Sequence, residues 1–364
     1  MPHFLIEMTQ TIHRKLNESS AARWTVLFIV SVVMMMGYVV AKEMSPLQYF
    51  LELPQSEGGL GWSSSEFGLF IGSRGFFNVY LLMLFVSGVI LDKTGVRFAG
   101  MLSCVLMLVG TAIDYYAIAI ASPVPATEVT FPTLGLDHTM VKDQVLMSAF
   151  GFAVFGIGYE LCGITVSKVI VKWFSGKEMA LAMGIQVALA RLGTALALLG
   201  GPFLAKYYQL STPILVGLFS VGLAVVIYLI YCAMDRKLDK ASDADNNEEK
   251  KAEKFSFKGL LTTLRSPGFW LITLLCMLYY SALYPFLDFA TKLMISKYGV
   301  SPEWAGGISS ILPFTSIILT PLFGGVYDRV GKGASIMILG TAMLTVVLMV
   351  FALPLHSSLL AVAL

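Results

Sequence analysis

The chain has 364 residues, of which 57% are hydrophobic and only 13% are charged, with a net charge of +2. A soluble domain carries charge on roughly a quarter of its residues, so this composition excludes a water-soluble globular protein. The net charge by itself indicates no partner, and lipid must cover much of the surface.

Nine apolar runs are each long enough to cross a bilayer, which takes about 20 helical residues. In chain order they are 24–51, 65–91, 98–121, 144–172, 178–203, 211–234, 267–295, 302–327 and 333–353. A tenth run begins near Leu359. We therefore predict an all-α integral membrane protein that crosses a plasma (inner) membrane many times.

Basic residues orient the predicted spans. Most of the 25 Lys and Arg residues fall in the N-terminal segment 1–23, in the linker 235–265 and in the short turns on the same side. By the positive-inside rule that side, including the N-terminus, is cytoplasmic. All five Trp residues lie at predicted span ends, where an amphipathic ring prefers the headgroup layer, and they agree with this topology.

Two charged turns between apolar runs have nearly the same sequence. The first contains Gly88, Asp92, Lys93, Gly95 and Arg97, and the second contains Gly324, Asp328, Arg329, Gly331 and Lys332. Such a repeat indicates two homologous membrane halves. We predict a six-helix half at 24–234, the charged cytoplasmic linker at 235–265, and a second half from 266 that continues beyond residue 364.

The same turns suggest a conformational role. Glycine lets two helices meet through a tight loop, while the charged residues form a polar latch on the cytoplasmic face. We expect this latch to hold the two halves together in one conformation and to release them in the other. A plain solvated loop remains the alternative.

Ionisable residues inside spans point to a binding site, because each is costly in lipid unless it is paired or faces water. Glu160 and Arg191 lie at a similar depth on consecutive spans, roughly 18–20 Å from the cytoplasmic end at 1.5 Å per residue. An Arg suits a carboxylate and a Glu suits an amine, so we predict that they bind a zwitterionic solute. The alternative is a structural pair that only neutralises itself.

Other polar residues inside spans extend these predictions. Arg74 and Tyr280 are further substrate-binding candidates, and Asp114 joins Glu160 as a candidate for carrying a coupling proton. We interpret Asp288, near the outer end of the seventh span, as water-exposed.

No P-loop, metal-ligand spacing or nucleophile–base pair is present in the sequence. We therefore expect no cofactor, no metal, no enzymatic activity and no nucleic-acid partner, and we expect a monomer.

The charged turns resemble the loops between spans two and three and between spans eight and nine of the major facilitator superfamily. The first copy departs at Val96, where that family usually has a basic residue. Stretches around Phe155–Glu160, Lys172–Glu178, Gly184–Gly193 and Tyr279–Phe286 are similar to its lysosomal dipeptide-transporting branch. That resemblance implies a dipeptide bound between two six-helix halves, with Glu160 and Arg191 contacting its amino and carboxylate ends.

These observations together favour a secondary transporter of small organic solutes, dipeptides first, that works by alternating access. A proton-coupled organic anion symporter and a transport-dead receptor on the same fold are the alternatives. The coupling ion stays open at this stage.

Overall fold

The computed structural model describes residues 19–121, 126–130, 138–174, 178–243, 262, 264–330 and 333–353. Most of this chain is helical. The helices are α1 Ser20–Glu43, α2 Gln48–Glu52, α3 Ser64–Ser73, α4 Phe76–Tyr80, α5 Met83–Ala119, α6 Asp143–Phe174, α7 Met179–Tyr207, α8 Thr212–Asp243, α9 Pro267–Tyr298, α10 Pro302–Val330 and α11 Gly333–Ala352. Short 3-10 turns occupy Ser45–Leu47 and Gln55–Glu57.

Seven of the described stretches are both long and apolar enough to cross a membrane. They confirm a helical multi-pass membrane chain. The structure adds one small antiparallel hairpin, β1 Ala126–Thr130 with β2 His138–Lys142, paired from Ala126 opposite Lys142 to Thr130 opposite His138. The hairpin lies in the connection between α5 and α6, which the sequence prediction left without secondary structure.

The predicted second span, 65–91, is not one continuous helix. The chain ends α3 at Ser73, starts α4 at Phe76, and turns again at Leu82, whose φ is +50°. Two glycines three residues apart, Gly72 and Gly75, weaken helix propensity at the first break. The N-terminal end of the same span is well defined, because Ser63 and Glu66 form a capping box.

The buried apolar residues of α1 to α8 form one cluster and those of α9 to α11 form a second. We call these two groups of helices the amino-terminal bundle and the carboxyl-terminal bundle. Glycines set the close contacts inside and between them. A Cβ at Gly193 of α7 would lie 2.4 Å from the carbonyl oxygen of Met35 on α1, and one at Gly306 of α10 would lie 2.3 Å from that of Leu198 on α7. Gly193 and Gly201 of α7 therefore pack against α1 and the turn that follows it, as expected for helices in lipid.

Two predicted segments differ from the structure or lie outside it. Helix α8 continues to Asp243, so the first residues of the predicted linker 235–265 are helical. Asp235 in this stretch is buried. The predicted N-terminal segment 1–23 is described only from residue 19, and the tenth apolar run near Leu359 lies outside the described residues. The composition of six helices in each half stays a prediction.

Candidate substrate-binding site

Arg74 occupies the break in the second span. Its backbone joins α3 to α4, and its Nη1 donates a hydrogen bond to the carbonyl oxygen of Ala41 on α1 at 3.1 Å. Helix α6 approaches the same break through Gly156, where a Cβ would lie 2.0 Å from the carbonyl oxygen of Arg74. Arg74 keeps helical dihedral angles at this break, with φ −52° and ψ −37°, and it lies in the wall of the central cavity.

A small central cavity of about 100 Å³ lies beside Arg74, between the two bundles. Four helices and the break contribute side chains to its wall. The lining residues are Tyr38, Ala41, Lys42, Arg74, Tyr159, Glu160, Arg191, Thr194, Tyr284 and Leu287. The cavity brings together three of the four substrate-binding residues that the sequence predicted, Arg74, Glu160 and Arg191.

None of these three residues is part of an ion pair within the described chain. In particular, no salt bridge joins Glu160 to Arg191, which disfavours the alternative of a structural pair. Arg74 acts on Glu160 only through a longer-range electrostatic interaction. Charges that face a cavity without an ion-pair partner in the described chain are available to a ligand with an amine and a carboxylate. Their role as substrate contacts stays a prediction.

Aromatic rings form the wall behind these charges. Tyr38 and Tyr159 meet edge to face at 5.2 Å, and the guanidinium of Arg74 lies 5.9 Å from the Tyr159 ring and 6.0 Å from the Phe152 ring. Tyr38, Tyr159 and Phe152 were not among the predicted site residues. Phe152, Phe155 and Tyr159 are spaced three and four apart, so the helical period could have placed them on one face of α6.

A second cavity of about 550 Å³ shares part of this wall. Arg74, Glu160 and Tyr284 line both spaces, and Asn78 and Asp288 line the larger one. Asn78 is fixed by a hydrogen bond from its Nδ2 to the carbonyl oxygen of Gly156 at 3.1 Å. The larger cavity has room for the body of a solute. The charged side chains of the smaller cavity can bind its charged ends.

Two predicted residues lie away from both cavities. Tyr280 is exposed and stacks on Tyr284 with ring centroids 5.1 Å apart. Tyr284, one helical turn further along α9, lines both cavities instead. Asp114 is buried between α5 and α6, where it accepts a hydrogen bond from the hydroxyl of Ser148. The predicted functions of Tyr280 and Asp114 stay predictions.

Ion pairs link the two bundles at the end of the molecule that the predicted topology places outside, the outer end. Lys42 on α1 pairs with Asp288 on α9, and Ser45 donates a hydrogen bond to the same carboxylate at 2.9 Å. The interpretation of Asp288 as water-exposed was wrong, since it is buried by this pairing. Two further pairs, Lys292 with Glu52 and Lys206 with Glu303, cross the same boundary. The outer end is therefore closed.

The first charged turn makes its contacts inside the amino-terminal bundle. Asp92 pairs with Lys168 of α6 at 2.6 Å, and Arg97 pairs with Asp235 of α8 at 3.1 Å and with Asp239. Lys93 is exposed, and Gly88 lies within helix α5. Gly95 has φ +80° and ψ 170°, a conformation almost restricted to glycine, and it separates the two helical parts of α5.

The second charged turn lies mostly outside the described part of the chain. Gly324, Asp328 and Arg329 belong to the described backbone of α10, but their side chains lie outside the described part, as do Gly331 and Lys332 entirely. A latch between the two halves stays a prediction for both copies. Among the described residues no group of three or more His, Cys, Asp or Glu side chains is placed to hold a metal ion.

Comparison with known proteins identifies related sequences. The family model described as Major Facilitator Superfamily matches residues 19–364. The human lysosomal dipeptide transporter MFSD1 is 28% identical over 198 residues, covering 50% of this chain and 41% of that protein. The Danio rerio protein of the same name is 27% identical over 261 residues, covering 69% of this chain and 51% of that protein. The chain thus spans about half the length of these relatives.

Solved structures share the fold. A POT family transporter in complex with 5-aminolevulinic acid superposes with a TM-score of 0.65 at 15% identity, covering 93% of this chain and 78% of that one. Tetrameric PepTSo2 gives 0.59 at 14% identity, with 94% and 80% coverage. A D-xylose–proton symporter gives 0.56 at 13% identity, with 85% and 70% coverage. At these identities the likeness shows the fold alone.

Proposed function

The chain belongs to the Major Facilitator Superfamily, and we propose that it is a secondary transporter of dipeptides that works by alternating access. The observation that carries this proposal is the set of three unpaired charges, Glu160, Arg74 and Arg191, facing one cavity between the bundles. A dipeptide presents one ammonium and one carboxylate, and each would find an opposite charge there. The relatives named as lysosomal dipeptide transporters support this substrate class.

The closed outer end supports the transport cycle. Ion pairs across the bundle boundary hold this end shut while the cavity keeps its charged wall, an arrangement that suits one state of an alternating-access carrier. In the opposite state we expect these pairs to separate.

The membrane in which the protein works is also a matter of proposal. The sequence predicts the plasma membrane, whereas the relatives carry the name lysosomal.

One observation favours a second candidate, an organic anion carrier. Two unpaired arginines, Arg74 and Arg191, face the cavity against a single unpaired carboxylate, Glu160. A solute with two carboxylates would satisfy both arginines, whereas a dipeptide with uncharged side chains would satisfy one arginine and the glutamate.

Counterflow in liposomes tests the proposal. Vesicles containing the full-length protein and loaded with an unlabelled dipeptide should take up labelled dipeptide faster than protein-free vesicles. A parallel series loaded with dicarboxylates decides between the two candidates. Uptake of dicarboxylates without any exchange of dipeptides would replace the first candidate by the second. Binding without exchange would indicate a receptor instead of a carrier.

A further inference from the structure

Glu43, the last residue of α1, is a buried carboxyl group without a partner. It is 2% exposed, and neither of its carboxyl oxygens has a hydrogen-bond partner among the described residues. No salt bridge within the described chain includes it. It was not among the sequence-predicted proton carriers, Asp114 and Glu160. An unpaired carboxylate in such surroundings is far more costly than a neutral carboxylic acid.

The groups that face Glu43 offer no compensating charge. Helix α8 approaches the Glu43 carboxyl at Gly217, which has no side chain. A Cβ at this position would lie 1.9 Å from Oε2 of Glu43. Helix α7 presents Gly201 to the Glu43 carbonyl, and α5 contributes the carboxyl of Asp114, a group of like charge. On α1 itself, the neighbouring Lys42 is held by Asp288. The carboxyl-terminal end of a helix further disfavours an anion.

The position of Glu43 connects it to the closed outer end. It directly follows Lys42, whose ammonium crosses the bundle boundary to Asp288, and the backbone leaves the helix at the next residue, Met44. Opening the outer end must separate Lys42 from Asp288. This movement frees a cation beside Glu43 and admits water to the last turn of α1, and both changes favour the ionised carboxylate.

From these contacts we propose that Glu43 is a proton-binding site, and that closing the outer end takes up one proton from the outer solution. The proton adds to a carboxylate oxygen when the end closes and leaves it when the end opens, with no other bond changed. The inference rests on the proposed alternating access. It goes further by naming the proton as a second ligand and Glu43 as its site.

Distance measurement between spin labels tests this without any substrate. Labels are placed at Ser56 and Ser296, two exposed positions at the outer ends of the two bundles, after Cys276, the exposed cysteine, is replaced by Ser. In the full-length protein in lipid we expect the population with long distances to rise at least about fivefold between about pH 5 and about pH 8. Glu43→Gln should keep the short distances throughout, because glutamine imitates the protonated acid.

Two further variants make the result decisive. Glu43→Met places an unbranched apolar side chain in the same space and should also remain closed at every pH. Glu57→Gln alters an exposed carboxyl of the outer connection and should respond to pH like the unmodified protein. A pH response that survives in both Glu43 variants, or that is lost in Asp114→Asn alone, overturns the proposal. So does the absence of a response in the unmodified protein. A failure of dipeptide counterflow would contradict the proposed substrate. The distance measurement would still test proton binding at Glu43, because it uses no substrate.

Discussion

At the scale of single residues, the described structure separates charges that are satisfied by the protein from charges that are left for a ligand. Asp235 is 1% exposed and accepts hydrogen bonds from Arg97, Lys172, Trp173 and Tyr231. Arg191, by contrast, faces the central cavity without a carboxylate partner in the described chain. The first residue serves the amino-terminal bundle, and the second is available for binding.

Replacing Arg191 by Ala should therefore reduce dipeptide exchange. The loss of a charge-assisted hydrogen bond of about 2 kcal/mol corresponds to an increase of about 30-fold in the half-saturating concentration. Arg191→Lys should recover part of the affinity, because it restores the charge and lacks the planar fork. Counterflow at a series of dipeptide concentrations measures both. The exposed Arg236→Ala is the matched control, and an equal effect there would contradict the assignment.

Asp235→Asn should act on stability instead of binding. Removing the buried charge leaves Arg97 and Lys172 with Asp239 as their remaining carboxylate partner in the described chain, and because both cations are one third exposed we expect a cost of about 1–3 kcal/mol. The thermal unfolding midpoint of the purified protein in detergent reports this cost. Asp239→Asn changes a carboxyl that meets the same two cations and is more exposed, so its effect should be clearly smaller. Equal shifts would show that burial of Asp235 contributes nothing.

At the scale of elements, helix breaks determine where the functional groups lie. The break between α3 and α4 presents Arg74 to the cavity, and the break at Gly95 turns α5 so that Arg97 reaches α8. The first break lies inside the predicted apolar run 65–91, and the second lies in the first charged turn. The glycines of the first charged turn are not equivalent, since Gly88 is helical and Gly95 has a conformation that other residues avoid.

Alanine substitution distinguishes these two glycines. Gly95→Ala should destabilise the protein by about 1–3 kcal/mol, because a Cβ is strained at φ +80°. Gly88→Ala should be neutral or stabilising by up to about 1 kcal/mol, because the site is helical and nothing lies within 4 Å of the added Cβ. Thermal unfolding of the two variants side by side is the measurement. A destabilised Gly88→Ala with an unaffected Gly95→Ala would contradict the conformational argument.

At the scale of the whole molecule, long-range ion pairs hold the outer end closed. Lys292 of α9 reaches Glu52 and also donates to the hydroxyl of Ser64 at 2.7 Å, so one lysine connects the second bundle to two elements of the first. Together with Lys42–Asp288 and Lys206–Glu303, this pair crosses the boundary at which the cavity lies. Lys42–Asp288 is buried, whereas Lys292–Glu52 and Lys206–Glu303 are partly exposed. Partly exposed pairs contribute little individually, so a conformational change can break them.

Removing one pair should shift the molecule towards an open outer end. In a Cys276→Ser background, a cysteine at Leu287, a buried residue of the cavity wall, reports access from the outer solution. We expect Lys292→Met to increase its labelling by a membrane-impermeant thiol reagent about two- to fivefold, consistent with a pair worth up to about 1 kcal/mol. The exchanged pair Glu52→Lys with Lys292→Glu should restore slow labelling. Slow labelling in every variant would show that the pair does not hold the end closed.

The sequence by itself determined the apolar spans and placed Glu160 and Arg191 at a similar height on consecutive spans, and both line the central cavity. These features follow from local composition and from the fixed rise of a helix per residue. Neither depends on which other helices pack against the span. The family likeness carried by the first charged turn was also readable, and the family comparison agrees with it.

Only the tertiary structure decided which charges meet. Lys42 and Asp288 are 246 positions apart, and the sequence gives no means of finding that distant pairing, so Asp288 was interpreted as exposed. Tyr284 replaces Tyr280 in the cavity wall because the rotation of α9 about its own axis is fixed by its packing against the first bundle. The isolation of Glu43 likewise depends on the close approach of α8 at Gly217. The rotation of a helix about its axis and its long-range contacts depend on packing between helices. They therefore do not follow from the sequence of a single span.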